Sequence, residues 1–112
     1  MKVTTIINGT EFELSTRLRV AYAVQGCHNH KPYAEVFQNL GDLPLEQQIE
    51  ILFEAFKDAN PTAVFEIKKQ DFLNYYLDNF KLKQVMRQLQ DVVKGIMGDD
   101  DETSAEVAEP GN

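Results

Sequence analysis

Between Leu82 and Met97 the apolar residues fall at Leu82, Val85, Met86, Leu89, Val92, Val93, Ile96 and Met97, in steps of three and four. At about 100° per residue these positions share one stripe of a helix. Lys83, Arg87 and Lys94, with Gln90 between them, occupy the polar side of one flank of that stripe. Gly98 follows, where a helix commonly ends on a left-handed residue. No side chain on the stripe is a nucleophile, a general base or a usual metal ligand, so its first meaning is packing.

At the other end of the chain the period is different. Lys2–Ile7 is rich in β-branched residues, Thr10–Leu14 alternates polar and apolar, and Asn8-Gly9 lies between them. Asn-Gly tolerates the positive φ of a type I′ turn, so these residues predict a β-hairpin. A hairpin alone is marginally stable, so Phe12 and Leu14 need helices beneath them. Ser15 or Thr16 then caps a helix over Arg17–Gln25. Leu18, Ala21, Tyr22 and Gln25 lie on one of its faces and Val20 and Val24 on another. Its apolar character after Arg19 predicts a central, well-buried helix that Gly26 ends. Cys27–Lys31 reads as a polar loop.

Pro32 suits the first position of a short helix reaching Asn39, with Tyr33, Val36, Phe37 and Leu40 inward. Pro44 opens a longer helix whose stripe is Leu45, Ile49, Leu52, Phe53 and Phe56. Glu46, Glu50, Glu54 and Lys57 read as its wet face, with mildly unfavourable like-charge spacings from Glu50 to Glu54 and from Glu54 to Asp58. Pro61 disfavours helical geometry at Asn60 and stops it there. Thr62–Ile67 leaves two readings open: a short extended connection, or an early helical start at Phe65. Lys69 to Phe80 is helical again, with Phe72, Leu73, Tyr76, Leu77 and Phe80 in phase, and a tight corner at Lys81 leads into the last helix. The expected class is α+β, mainly α: an N-terminal β-hairpin on a compact bundle of about five helices.

Composition bounds this picture. A chain of 112 residues, 43% hydrophobic, has room for one domain with one core. The net charge of −7 is unevenly spread. Residues 99–112 carry Asp99, Asp100, Asp101, Glu102, Glu106 and Glu109 with no Lys or Arg, whereas residues 1–98 hold twelve acids against eleven bases. The expected organisation is a single domain over 1–98 and a disordered acidic tail over 99–112. A nearly neutral body gives no basic surface for nucleic acid. The one cysteine, Cys27, has no internal disulfide partner, which suits a reducing cytosol. There is no basic-then-apolar leader pattern and no apolar run approaching 18 residues, so a cytoplasmic protein without a membrane partner is expected.

Candidate chemistry is sparse. Cys27, His28 and His30 crowd three potential zinc ligands into four positions, and no other Cys or His exists in the chain. Zinc sites usually draw on two separated pairs, so a carboxylate would have to complete this one. A loop that satisfies its own backbone is the plainer reading. The alternative function this loop suggests is a small intracellular regulatory or metal-sensing protein. Cys27 beside His28 lacks the orienting acid of a nucleophile–base pair. Glu46, Glu50 and Glu54 form a solvated row rather than an acid–base pair. Asp99–Glu102 lacks the alternating oxygen ligands and central glycine of a calcium loop. No catalytic residue, cofactor or resident metal is expected.

The flank of the last helix is the candidate partner-binding surface. Met86, Val93 and Met97 lie along it beside Lys83, Arg87 and Lys94. Methionine repacks easily, and a basic ridge next to it suits a helical or acidic segment. Core packing is the competing and simpler reading of both methionines.

The order of elements resembles the small tail assembly chaperones of long-tailed phages and prophages of Gram-positive bacteria. The resemblance rests on Leu18-Arg19-Val20-Ala21-Tyr22-Ala23-Val24-Gln25-Gly26, His28-Asn29-His30-Lys31-Pro32-Tyr33 and Glu46-Gln47-Gln48-Ile49-Glu50-Ile51-Leu52. It continues through Ala59-Asn60-Pro61, Phe72-Leu73-Asn74-Tyr75-Tyr76-Leu77-Asp78-Asn79 and Gly95-Ile96-Met97-Gly98, and spans roughly residues 3–98. It is a likeness of pattern and carries no catalytic signature. It implies a mainly helical protein that keeps the tape measure protein soluble before the tail tube polymerises around it. It also implies action in the host cell cytoplasm and absence from the mature virion. A minor frameshifted product that recruits tail tube protein, and self-association along a long partner, complete what the resemblance implies.

Overall fold

Asn8 and Gly9 both hold positive φ, 54° and 83°, and join strand β1 (Val3–Ile7) to strand β2 (Thr10–Leu14). The strands pair antiparallel from Val3 opposite Leu14 to Ile7 opposite Thr10, as a two-residue turn dictates. Period two then sorts the side chains. Val3, Thr5, Ile7 and Leu14 are buried, while Ile6, Glu11 and Glu13 face outward. The structure is a computed structural model that describes residues 2–27 and 32–98, with the backbone alone for Cys27. The expected loop residues His28 to Lys31 and the expected tail 99–112 lie outside the described residues.

Among the described residues five helices follow the hairpin: α1 (Leu18–Cys27), α2 (Tyr33–Gln38), α3 (Leu45–Ala59), α4 (Lys69–Asn79) and α5 (Leu82–Met97). Short 3-10 turns fill Leu40–Asp42 and Ala63–Phe65. The expected mainly helical α+β architecture is therefore the observed one. The element at its centre is α3, which packs against β2, α1, α4 and α5. Gln48, Ile49 and every residue from Ile51 to Phe56 are buried. Aromatic rings run from β2 through α3 to α4. Phe12 meets Phe56 edge-on at 5.2 Å, Phe53 and Phe56 both approach Phe72, and Phe72, Tyr76 and Phe80 stack at 4.7 and 4.2 Å. Such rings remove large apolar areas from water and add directional contact energy.

Backbone ends are satisfied locally. The Ser15 hydroxyl accepts the Arg17 N–H at 3.1 Å and donates to Asp58 at 2.5 Å, while Ser15 N–H donates to the Ala55 carbonyl. Pro32 and Pro44 stand one place before their helices, in extended geometry. Asp71 and Gln84 reach back to the N–H groups of Lys68 and Lys81, closing the starts of α4 and α5. Gly98 ends α5 at φ 85°, the left-handed stop expected of it.

Several expectations fail, those for α1 and Glu54 because α3 rather than α1 occupies the centre. Among its described side chains helix α1 buries only Val20, Ala21 and Val24 fully, whereas Leu18 and Tyr22 are 69% and 73% exposed. Gly26 lies within α1 instead of ending it. Glu54, expected on a wet face, is buried where α1 lies against α3 and pairs with Lys57 at 3.2 Å. The like-charge spacings are relieved in the same way, Glu50 by Lys69 at 2.7 Å and Asp58 by Arg17 at 3.5 Å. Tyr33, Leu45 and Leu77, expected inward, are exposed at the margins of their helices. Pro32 precedes α2 instead of starting it, and Phe65 projects from its 3-10 turn into solvent.

Candidate partner-binding surface

Helix α5 owes its burial to a narrow part of its stripe. Val85, Leu89 and Val92 are buried; Met86, Val93 and Ile96 are half-buried; Leu82 and Met97 are exposed. Ile96, one of the stripe residues, thus sits at the core's edge. Lys83, Arg87 and Lys94 are exposed on the same helix.

The α2 segment and the turn after it supply an opposite wall. Phe37, Gln38, Leu40 and Gly41 face Met86, Gln90, Val93 and Lys94 across an open hollow of about 400 Å³. Three of the six sequence-predicted contact residues, Met86, Val93 and Lys94, are therefore brought to one groove. Lys83 and Arg87 stand outside it on the exposed side of the helix. Met97 stands beyond its end and is 60% exposed. The hollow has apolar lining from both walls and a cation at its rim. It offers shape and charge for an apolar segment with acidic flanks.

Helix α1 carries a second such surface, which the sequence reading missed by expecting α1 to be buried. Leu18 and Tyr22, with Arg17 and Arg19, line an open hollow of about 580 Å³ among the described residues. A third hollow, of about 310 Å³ between α3 and α4, is bordered by the Lys69–Glu50 ion pair and floored by Ile49, Phe53 and Phe72. The signal for the α1 surface was available in Val20 and Val24, whose separate face is the one that packs.

No group of three or more His, Cys, Asp or Glu residues is placed to hold a metal among the described residues. The Cys27, His28 and His30 set falls where side chains are not described. Tyr76 has its phenol pushed well above the ordinary range by burial, against the opposing effect of hydrogen bonds with Thr5 and Gln88. Its hydroxyl is enclosed by those two partners and opens onto none of the three hollows described. No helix among the described residues is long and apolar enough to cross a membrane. No protein-family model matches the chain, and searches of curated proteins and of solved structures returned no match.

Proposed function

We propose that this chain is a non-enzymatic tail assembly chaperone of a long-tailed phage or prophage. It binds the tape measure protein in the host cytoplasm and keeps it soluble until the tail tube forms, then is left out of the virion. A longer frameshifted product would bring tail tube subunits to the same complex. The observation that carries the reading is the groove between α2 and α5. Its apolar walls at Phe37, Leu40, Met86 and Val93 lie beside the cations of α5. A long helical protein exposes apolar stripes before assembly, and a holder for it needs apolar grooves surrounded by charge. The resemblance in element order supplies the identity of that partner.

The test is co-expression with the tape measure protein from the same gene cluster. The expected result is co-purification and a higher soluble fraction of the tape measure protein. Lys83→Glu with Arg87→Glu should lower capture several-fold while leaving the helical circular dichroism unchanged, since both side chains are exposed. A tape measure protein that stays insoluble, or capture unchanged by the double charge reversal, counts against the reading or against this surface respectively.

A further inference from the structure

The two strands form a sheet with two edges, and the edges are treated differently. In a hairpin closed by a two-residue turn the flanking residues exchange both backbone hydrogen bonds, and bonding alternates from there. Ile7, Thr5 and Val3 therefore turn their backbone groups toward β2, and Thr4 and Ile6 turn theirs away from it. On β2 the outward residues are Glu11 and Glu13. Asn60 donates its side-chain amide to the Glu13 carbonyl at 2.8 Å, and Ser15 N–H is bonded to Ala55, so α3 holds that edge. Both outward side chains on β2 are also acidic, a common guard against pairing.

The β1 edge has neither protection. The backbone groups of Thr4 and Ile6 have no hydrogen-bond partner beyond the hairpin among the described residues. The strand reads Val3-Thr4-Thr5-Ile6-Ile7, with no charge, proline or glycine, and Ile6 is 54% exposed. We infer that β1 is a pairing edge for β1 of a second copy of this chain. The sequence is self-complementary for a two-fold antiparallel arrangement centred on Thr5. Thr4 of each copy then faces Ile6 of the other, and about four inter-strand hydrogen bonds form. Both positions are uncharged and β-branched, so the symmetric contact brings no like charges together. A four-stranded sheet, ordered β2-β1-β1-β2, joins the two domains. The pairing needs no tape measure protein, so its failure and that of the chaperone reading are separable.

Sedimentation velocity on the full chain from about 5 to 500 μM tests this, together with two variants. Thr4→Pro removes an outward N–H while sparing the bonds to β2, and Ile6→Lys places a charge on the edge. The expected result is concentration-dependent dimer for the wild type and at least a tenfold rise in dimer Kd for each variant, with thermal unfolding of the monomer retained. A variant that loses its folded circular dichroism is replaced by a single spin label on an Ile6→Cys, Cys27→Ser chain, whose pairwise distance should be short in the dimer. A wild type that stays monomeric throughout overturns the inference. So does a dimer that both folded variants retain, or a long label distance.

Discussion

Three side chains from three elements close a ring of hydrogen bonds beneath the hairpin, and deleting one hydroxyl tests how strongly that ring fastens β1 to the helices. Thr5 Oγ1 lies 2.8 Å from Tyr76 Oη, Tyr76 donates to Gln88 Oε1 at 2.6 Å, and Gln88 Nε2 donates to Thr5 Oγ1 at 3.2 Å. The donors close only if Thr5 donates to Tyr76. Tyr76→Phe keeps the ring stacked on Phe72 and Phe80, so no cavity opens. It removes two bonds of roughly 0.5–1.5 kcal/mol net each and leaves the Thr5 hydroxyl, 3% exposed, without an acceptor. The expected loss is about 1–3 kcal/mol. It would be read as a fall in urea midpoint at unchanged m, or as several degrees in Tm. Adding Thr5→Val to Tyr76→Phe should cost less than the sum of the single changes, because both remove the same bond. A loss below about 0.5 kcal/mol, or strict additivity, refutes the reasoning.

The same site predicts a pH dependence with a definite sign. Burial raises the folded Tyr76 phenol above its ordinary value of 10.0. Above that pH the unfolded chain releases this proton while the folded chain retains it, so the unfolded state binds fewer protons. This contribution to stability is whole below pH about 10 and declines above it. Tyr76→Phe lacks that decline, so the gap between wild type and variant should narrow as the pH rises past 10 in matched urea titrations. A gap that widens contradicts the assignment.

Two glycines on helices should respond in opposite directions. A Cβ on Gly95 would sit 2.5 Å from Thr16 Cγ2, so Gly95→Ala should destabilise by about 1–3 kcal/mol despite the better helix propensity. Gly26 meets nothing within 4 Å and lies inside α1, so Gly26→Ala should be neutral or stabilising by up to about 1 kcal/mol. Equal signs in thermal unfolding would refute the α1 boundary or the Thr16 contact. Asn60→Ala removes amide bonds to the Glu13 and Phe56 carbonyls, and should lower stability by about 1 kcal/mol and speed hydrogen exchange of the β2 amides. Unchanged exchange would mean that α3 does not hold that edge.

Elements with one dominant period were legible in the sequence, and elements whose burial is set by neighbours were not. The hairpin was readable because Asn8-Gly9 fixes turn and register together. The limits of α5 were readable because the stripe and Gly98 agree. Helix α1 shows why the rest was hidden. It has two apolar faces, and only the packing of α3 decides that Val20 and Val24 go inward and Leu18 and Tyr22 outward. Glu54 hides the same information in reverse, since a carboxylate marks solvent and no local pattern shows that α1 will lie over it. Of the candidate surface, periodicity marked the α5 wall, but the opposite wall at Phe37 and Leu40 comes from α2 and the turn after it, whose direction no local pattern encodes.

Between the α1 and α5 surfaces, the proposed capture would favour the α5 flank, and the reason is electrostatic rather than apolar. On α1, Arg17 is committed to Asp58, which also holds the Ser15 hydroxyl at the helix entry. A partner carboxylate drawing Arg17 away would disturb the start of α1 and lose part of what it gains. Lys83, Arg87 and Lys94 have no ion-pair or hydrogen-bond partner among the described residues. They would meet an acidic segment without breaking an internal contact. Exposed pairs of this kind are each worth little, about 0.2–1 kcal/mol, so they select and orient a partner more than they hold it. Holding falls to the half-buried Met86 and Val93, whose apolar area shrinks further when a segment covers the groove. Charge reversal at Lys83 and Arg87 should therefore slow capture and weaken or invert its salt dependence more than it shortens the lifetime of a complex already formed.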